Sequence, residues 1–98
     1  MPSTPLTFKW DEAKSRSNVA KHRVAFEEAA AVVSDPLSLT IADPDHSSAG
    51  DERYITLGFS QDARLLMVVH SDDSDIIRII SARLANRRER LAYEEGNS

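Results

Sequence analysis

The sequence predicts an α+β fold: an antiparallel sheet of four or five strands with helices packed on one face, in the order β-α-α-β-β-β-β-α. Period-two alternation of apolar and polar residues occupies residues 6–10, 37–42 and 54–59. Two further apolar runs, Leu65–Val69 and Ile76–Ile80, have strand length. Between them, residues 11–34 repeat at spacings of three and four, the period of a helix, and an Asn86/Glu89 capping pair opens a last one. Strands and helices that come in blocks, with no regular β-α-β alternation, argue for α+β.

Each element has its own signal. Leu6, Phe8 and Trp10 alternate with polar residues, a short strand. Asp11 opens a helix to about Lys21. Trp10, Ala13, Ser17 and Ala20 form its small apolar side, and Lys14, Asn18, Lys21 and His22 fall on another. Arg23-Val24-Ala25 turns the chain. Phe26, Ala29, Ala30 and Val33 define a second helix, which Asp35-Pro36 ends because proline disfavours a helical residue before it. Leu37, Leu39 and Ile41 alternate with Ser38, Thr40 and Ala42, and Ile55, Leu57 and Phe59 alternate with Tyr54, Thr56 and Gly58. Ser60-Gln61-Asp62-Ala63 reads as a hairpin turn. Leu65–Val69 is apolar throughout, so it is expected at the centre of the sheet, buried on both faces. Residues 76–82 form the last strand. Asn86 with Glu89 three residues later is an Asn-headed capping box opening the last helix. Pro44, Ser47-Ser48, Gly50 and the run Ser71–Ser74 carry loop chemistry.

A length of 98 residues supports one domain, with residues 1–5 as a flexible arm and 95–98 as a flexible tail. The absence of Cys excludes disulfides and thiolate metal sites. Neither apolar run approaches the ~20 residues of a membrane span. The opening MPSTPLT lacks the basic and apolar regions of a signal peptide, so a cytoplasmic chain is expected. The net charge of −4 is unevenly placed. Residues 9–26 carry +3, 76–93 carry +4, and 35–52 carry −5 with no Lys or Arg. A basic surface built from the two ends of the chain would accept anions, while acidic loops face elsewhere.

His22, His46 and His70 are isolated from one another, and Asp45-His46 and the Asp72/Asp73/Asp75 cluster lack the spacing of a calcium loop, so no metal site and no cofactor is expected. There is no Gly-rich phosphate loop and no GxSxG. The arginines are more informative. Arg78 interrupts an apolar strand, where an unpaired guanidinium is too costly to bury. It either pairs with a carboxylate or lies open, and a forked guanidinium suits phosphate. Arg83 follows on the same strand, and Arg87 and Arg90 begin the next helix. His22 sits on a basic helix side, as a proton carrier near neutrality or as a residue favoured at a helix C-terminus. His70 ends the central strand. Tyr93, one turn after Arg90, stacks a base, donates a proton or belongs to the core.

Taken together, these residues resemble a known family. Phe8-x-Trp10-Asp11-x-x-Lys14-x-x-x-Asn18-x-x-Lys21-His22, then Val24-x-Phe26-Glu27-Glu28-Ala29, is similar to the N-terminal half of BrnT toxins. Glu52-Arg53 before a strand, Gly58, Arg78–Arg83, Glu89-Arg90 and Tyr93-Glu94 are similar to the rest. The resemblance covers residues 8–94. It implies a RelE-like ribonuclease fold and the toxin of a type II toxin–antitoxin pair. It also implies a BrnA-type antitoxin whose complex binds operator DNA, and a toxin homodimer within a heterotetramer. On that reading the chain is a metal-independent endoribonuclease that inhibits translation and growth, with attack by a ribose 2′-hydroxyl. His22 or His70 acts as base or acid, and Tyr93 stacks the base or serves as the acid. Arg53, Arg78 and Arg83 stabilise the phosphorane, and Lys14, Lys21, Arg87 and Arg90 bind substrate. The competing reading is a non-catalytic module whose basic face captures an acidic partner. Two positions depart from the family pattern. Arg23 stands where Gly is usual, costing about 1 kcal/mol if φ is positive there. Ala25 stands where Ser is common, costing ~1 kcal/mol of helix cap.

Overall fold

Alternation along the strands sorts their side chains to two faces, and everything else in the fold follows from what covers each face. The computed structural model describes residues 6–48 and 52–97; the expected N-terminal arm and Gly50 lie outside them. The elements are β1 (Thr7–Lys9), α1 (Glu12–His22), α2 (Phe26–Ser34), β2 (Leu39–Ala42), β3 (Arg53–Phe59), β4 (Leu65–Asp73), β5 (Ile76–Leu84) and α3 (Arg87–Gly96), with one 3₁₀ turn at Pro44–His46. The five strands form one sheet in the order β1-β5-β4-β3-β2. The predicted element order holds, and β4 is the central strand. Leu65 and Leu66 are buried, one on each face; Met67 and Val69 are half-buried.

Four expectations are corrected. The sheet is mixed, because β1 pairs parallel with β5 through Thr7–Ile76, Phe8–Ile77 and Lys9–Arg78. Alternation carries no information on strand direction, so the sequence could not reveal this. The helices occupy both faces. α2 lies over Leu66, Val68, Ile77, Ile79 and Ala82, whereas α3 packs Tyr93 edge-on against Phe59, at 5.5 Å between ring centres. Phe59 pairs with Leu65, which points away from the Leu66 side. The acidic run at 71–74 is mostly strand, with Ser74 and Asp75 alone making the β4–β5 turn and Ser74 at φ 54. α3 also extends through Gly96, into the expected tail.

The core joins Val24, Phe26, Ala29 and Val32 to those five sheet residues. Each large apolar side chain buried there contributes roughly 1.5–3 kcal/mol. Space is short at Gly58: a Cβ would stand 3.0 Å from Ser38 Cβ and 3.1 Å from Val32 Cγ1, so either neighbour would have to give way by a few tenths of an ångström.

Of the apolar side expected for α1, Trp10, just ahead of the helix, packs against the core, edge-on to Phe26, but the rest is not used. Ala13, Ser17 and Ala20 are exposed, and the buried residues are Ser15 and Asn18. The reason is position. β1 accompanies β5 only as far as Arg78, and α1 lies beside the remaining edge of β5, where open backbone groups demand polar partners. Asn18 supplies them. Its amide nitrogen donates to the carbonyls of Val24 and Ala82, both at 2.8 Å, and its oxygen accepts from Ala82 N–H at 3.2 Å.

The junction between α1 and α2 carries both expected costs. Arg23 adopts φ 60, ψ 31, the left-handed C-cap conformation that suits Gly. Ala25 is the N-cap of α2 and makes no side-chain cap bond. Arg23→Gly and Ala25→Ser are each expected to raise stability by about 1 kcal/mol, additively within error because each acts on its own helix end. Urea unfolding of the two single variants and the double variant measures this.

Two ion pairs brace the helix starts. Arg64, at the end of the β3–β4 turn, donates through Nε to Glu28 at 3.0 Å and bonds it again through Nη2, which also reaches the Arg23 carbonyl at 2.9 Å. Arg83 forks onto Glu89 at 2.8 and 2.9 Å, and Glu89 closes the predicted capping box with Asn86. The guanidinium bonded to each carboxylate lowers its pKa below the ordinary value of 4.5. Folding is therefore favoured by these pairs above pH about 4.5, and the contribution is lost as pH falls through the lower folded values. Glu89→Gln is expected to destabilise the protein at pH 7 and much less at pH 3, as read from denaturation midpoints at both pH values.

Candidate active site

Strand register assembles a cationic row on one face of the sheet. Lys9 pairs with Arg78, Arg78 with Ser71, and Ser71 with Arg53. Paired residues point to the same face, so these four form one row across β1, β5, β4 and β3, about 14 Å long at ~4.8 Å per strand. They lie on the α3 side of the sheet. Lys9 and Arg78 are exposed, and Arg53 and Ser71 are half-buried. Arg78 makes no ion pair among the described residues. The open alternative for Arg78 is thus the observed one. Asp73 stands one row further along β4 on the same face.

The next row in the other direction is aliphatic: Ile41, Ile55 and Val69, ending at Ser81 on β5. A bulge at Val69/His70 lets β5 carry one extra residue, Ile80. Ser81 and Ile80 then line a cavity of about 200 Å³ with Lys14, Ser17, Asn18, Lys21 and His22 from α1. Two ammonium groups, one imidazole and two hydroxyls thus converge at the margin of the cationic row, with Asn18 fixing the helix that carries them. Lys14, Lys21 and His22 are exposed. This arrangement can hold phosphate and move a proton.

The other residues expected to act chemically lie elsewhere. His70 is on the opposite, α2-covered face and is 1% exposed. Its Nε2 is 2.7 Å from Thr56 Oγ1, its Nδ1 2.7 Å from Asp72, and Thr56 Oγ1 is 2.7 Å from Thr40 Oγ1. Tyr54 stacks on the ring at 6.0 Å. Both imidazole nitrogens are engaged, and the sheet separates them from Arg78. Arg83 faces the Arg78 side but its fork is held by Glu89. Tyr93 is buried against Phe59. Arg87 and Arg90 are exposed on α3, where Arg87 borders a groove with Arg88, Leu91, Ala92 and Glu95. Sequence reading missed Lys9, Ser71 and Ser81 as neighbours of Arg78, because register and the parallel β1 pairing create that neighbourhood. It also set Asn18 on one helix side with Lys14, Lys21 and His22 and gave it no partner, although an amide embedded in a lysine-rich side was the available signal for a backbone clamp.

Fold and surface define a small α+β protein with an anion-receptive sheet face and a Lys/His pocket at its margin. A family model described as "Ribonuclease toxin, BrnT, of type II toxin-antitoxin system" matches residues 10–89. The chain belongs to this family. Its fold is also similar to the crystal structure of the Brucella abortus ribonuclease toxin BrnT, at 22% identity and a TM-score of 0.60, over 84% of this chain and 99% of that one. A search of curated proteins finds no match. No helix among the described residues is long and apolar enough to cross a membrane.

Proposed function

We propose that this chain is a metal-independent endoribonuclease of RelE-like architecture, acting in the cytoplasm on RNA to inhibit translation and growth. A BrnA-type antitoxin neutralises it, in a heterotetramer that binds operator DNA through the antitoxin. The observation that supports this reading best is the Lys9–Arg78–Ser71–Arg53 row, running to a pocket that holds Lys14, Lys21 and His22. The row receives the phosphodiester backbone, and the forked guanidiniums of Arg78 and Arg53 stabilise charge on the phosphorane. The ribose 2′-oxygen attacks phosphorus as His22 takes its proton. The bond to the 5′-oxygen breaks, and Lys14 or Lys21 protonates that leaving oxygen. The products are a 2′,3′-cyclic phosphate and a 5′-hydroxyl. His70, with both nitrogens engaged, and buried Tyr93 act in this scheme through the fold, not on substrate. Arg87 and Arg90 extend the cationic surface along α3 toward RNA or antitoxin.

The protein is expected to cleave single-stranded RNA in excess EDTA and to leave a substrate intact when the 2′-hydroxyl at the scissile position is replaced by hydrogen. His22→Gln should slow cleavage by ~10²–10⁴-fold at unchanged melting temperature. Folded wild-type protein that binds RNA without cutting it would establish a binding module instead. An unchanged rate in the His22 variant would assign the proton to another group.

A further inference from the structure

At the end of the sheet opposite β1, strand β2 is an edge, and its hydrogen-bonding pattern shows what remains open. Asp43 N–H donates to the Arg53 carbonyl at 2.8 Å, so residues 43 and 53 are a hydrogen-bonded position of the β2–β3 pairing. Such positions alternate in an antiparallel ladder. The bonded pairs along β2 are therefore Ile41–Ile55 and Leu39–Leu57. Thr40 and Ala42, opposite Thr56 and Tyr54, turn their N–H and C=O groups away from β3. Both residues are exposed, and Ile41 between them is 63% exposed, as is Leu37. No charged residue and no proline interrupts Leu37–Ala42, although charges, prolines and bulges are how proteins usually protect an edge.

We propose that β2 pairs with β2 of a second copy of this chain, antiparallel about a twofold axis normal to the sheet, giving a continuous ten-stranded sheet. The open groups are self-complementary for this geometry. Thr40 of one copy meets Ala42 of the other, each exchanging N–H and C=O, for four hydrogen bonds in all. The two Ile41 side chains then face each other across the axis as a non-hydrogen-bonded pair, the closer of the two pair types. The aliphatic row Ile41–Ile55–Val69 runs through into its counterpart on the same face. No like charges oppose each other in this register: Asp43 comes to lie opposite Leu39 of the second copy. A four-residue strand falls short of the ~1,200–2,000 Å² of a standard stable interface, so the dimer is weak and concentration-dependent. The proposal stands on backbone geometry and is independent of the ribonuclease reading.

Sedimentation equilibrium over micromolar to sub-millimolar concentrations should show a monomer–dimer equilibrium. Ala42→Pro removes an outward N–H that β3 does not use, and Ile41→Lys places a charge on the axis. Both should remain monomeric throughout, with melting temperatures near wild type. Amide exchange supplies a second reading. Thr40 and Ala42 amides should be protected at high concentration and lose protection on dilution, whereas Leu39 and Ile41 amides, already bonded to β3, should not change. A wild-type chain that stays monomeric, or a dimer unaffected by both substitutions with Thr40 and Ala42 still exchanging freely, would overturn the proposal. Loss of antitoxin binding in the variants without any toxin dimer would likewise overturn it and assign the edge to an antitoxin strand.

Discussion

Asn18→Ala is expected to cost about 3 kcal/mol or more of folding stability. The substitution leaves the Val24 carbonyl and both backbone groups of Ala82 without their partner, in a place where Asn18 is only 6% exposed. A buried polar group left unsatisfied costs ~1–3 kcal/mol, and water entering the space Asn18 vacates offsets part of the sum. A domain of this size has roughly 5–15 kcal/mol in total, so the change is large. Asn18→Asp tests the same clamp by charge: it turns a double donor into an acceptor aimed at two carbonyl oxygens, and it should be at least as damaging at neutral pH. Urea midpoints with unchanged slopes would report both. A loss under ~1 kcal/mol would mean that α1 is held on β5 by other contacts. The clamp also has a chemical consequence. α1 carries Lys14, Lys21 and His22, and the bonds to Ala82 fix its distance from Ser81, the adjoining residue on β5. Cleavage by Asn18→Ala should therefore fall even at temperatures where the variant is fully folded.

Asn18 also marks the limit of what the sequence discloses. Local signals were reliable. The stop at Asp35-Pro36, the Ser60–Ala63 turn and the Asn86/Glu89 capping box all appear as the residues dictate. So does the strained junction, where Arg23 takes a positive φ and Ala25 leaves a helix end without a side-chain cap. What failed needed knowledge of partners distant in the chain. α1 lies against a strand edge, so a polar residue is its buried contact and its alanines face solvent. α3 crosses to the second face because the β5–α3 connection leaves on the Arg83 side, and Arg83 then holds Glu89. His70 and Arg78 look equivalent in sequence, each a polar residue on an apolar strand. Register separates them: His70 pairs with Ile79 on the covered face, and Arg78 pairs with Ser71 on the open one. The cationic row could be suspected from charge segregation, but its members could not be named without the parallel pairing that brings Lys9 to Arg78.

Arg78→Ala is expected to lower RNA cleavage by about 10²–10³-fold while leaving the melting temperature near wild type. The first half follows from the assigned role: removing one preorganised donor to a developing oxyanion costs that much in enzyme active sites. The second half follows from geometry. The Arg78 side chain is exposed, makes no ion pair among the described residues and lies on the face away from the core. Arg78→Lys separates charge from shape. A lysine keeps the positive charge but loses the planar fork that grips two phosphoryl oxygens, so activity should lie between wild type and Ala. Salt dependence supplies an independent check. For a single strand, every phosphate that a cation no longer neutralises reduces the slope of log binding constant against log salt by ~0.7. Binding measured by fluorescence anisotropy across a several-fold range of salt should show about that reduction for Arg78→Ala and again for Lys9→Ala, its neighbour in the row. Full activity with a wild-type salt slope would remove the row from substrate binding and move the site toward α3. A collapsed melting temperature would instead make Arg78 part of what holds β5 in the sheet, which its exposure on the open face argues against.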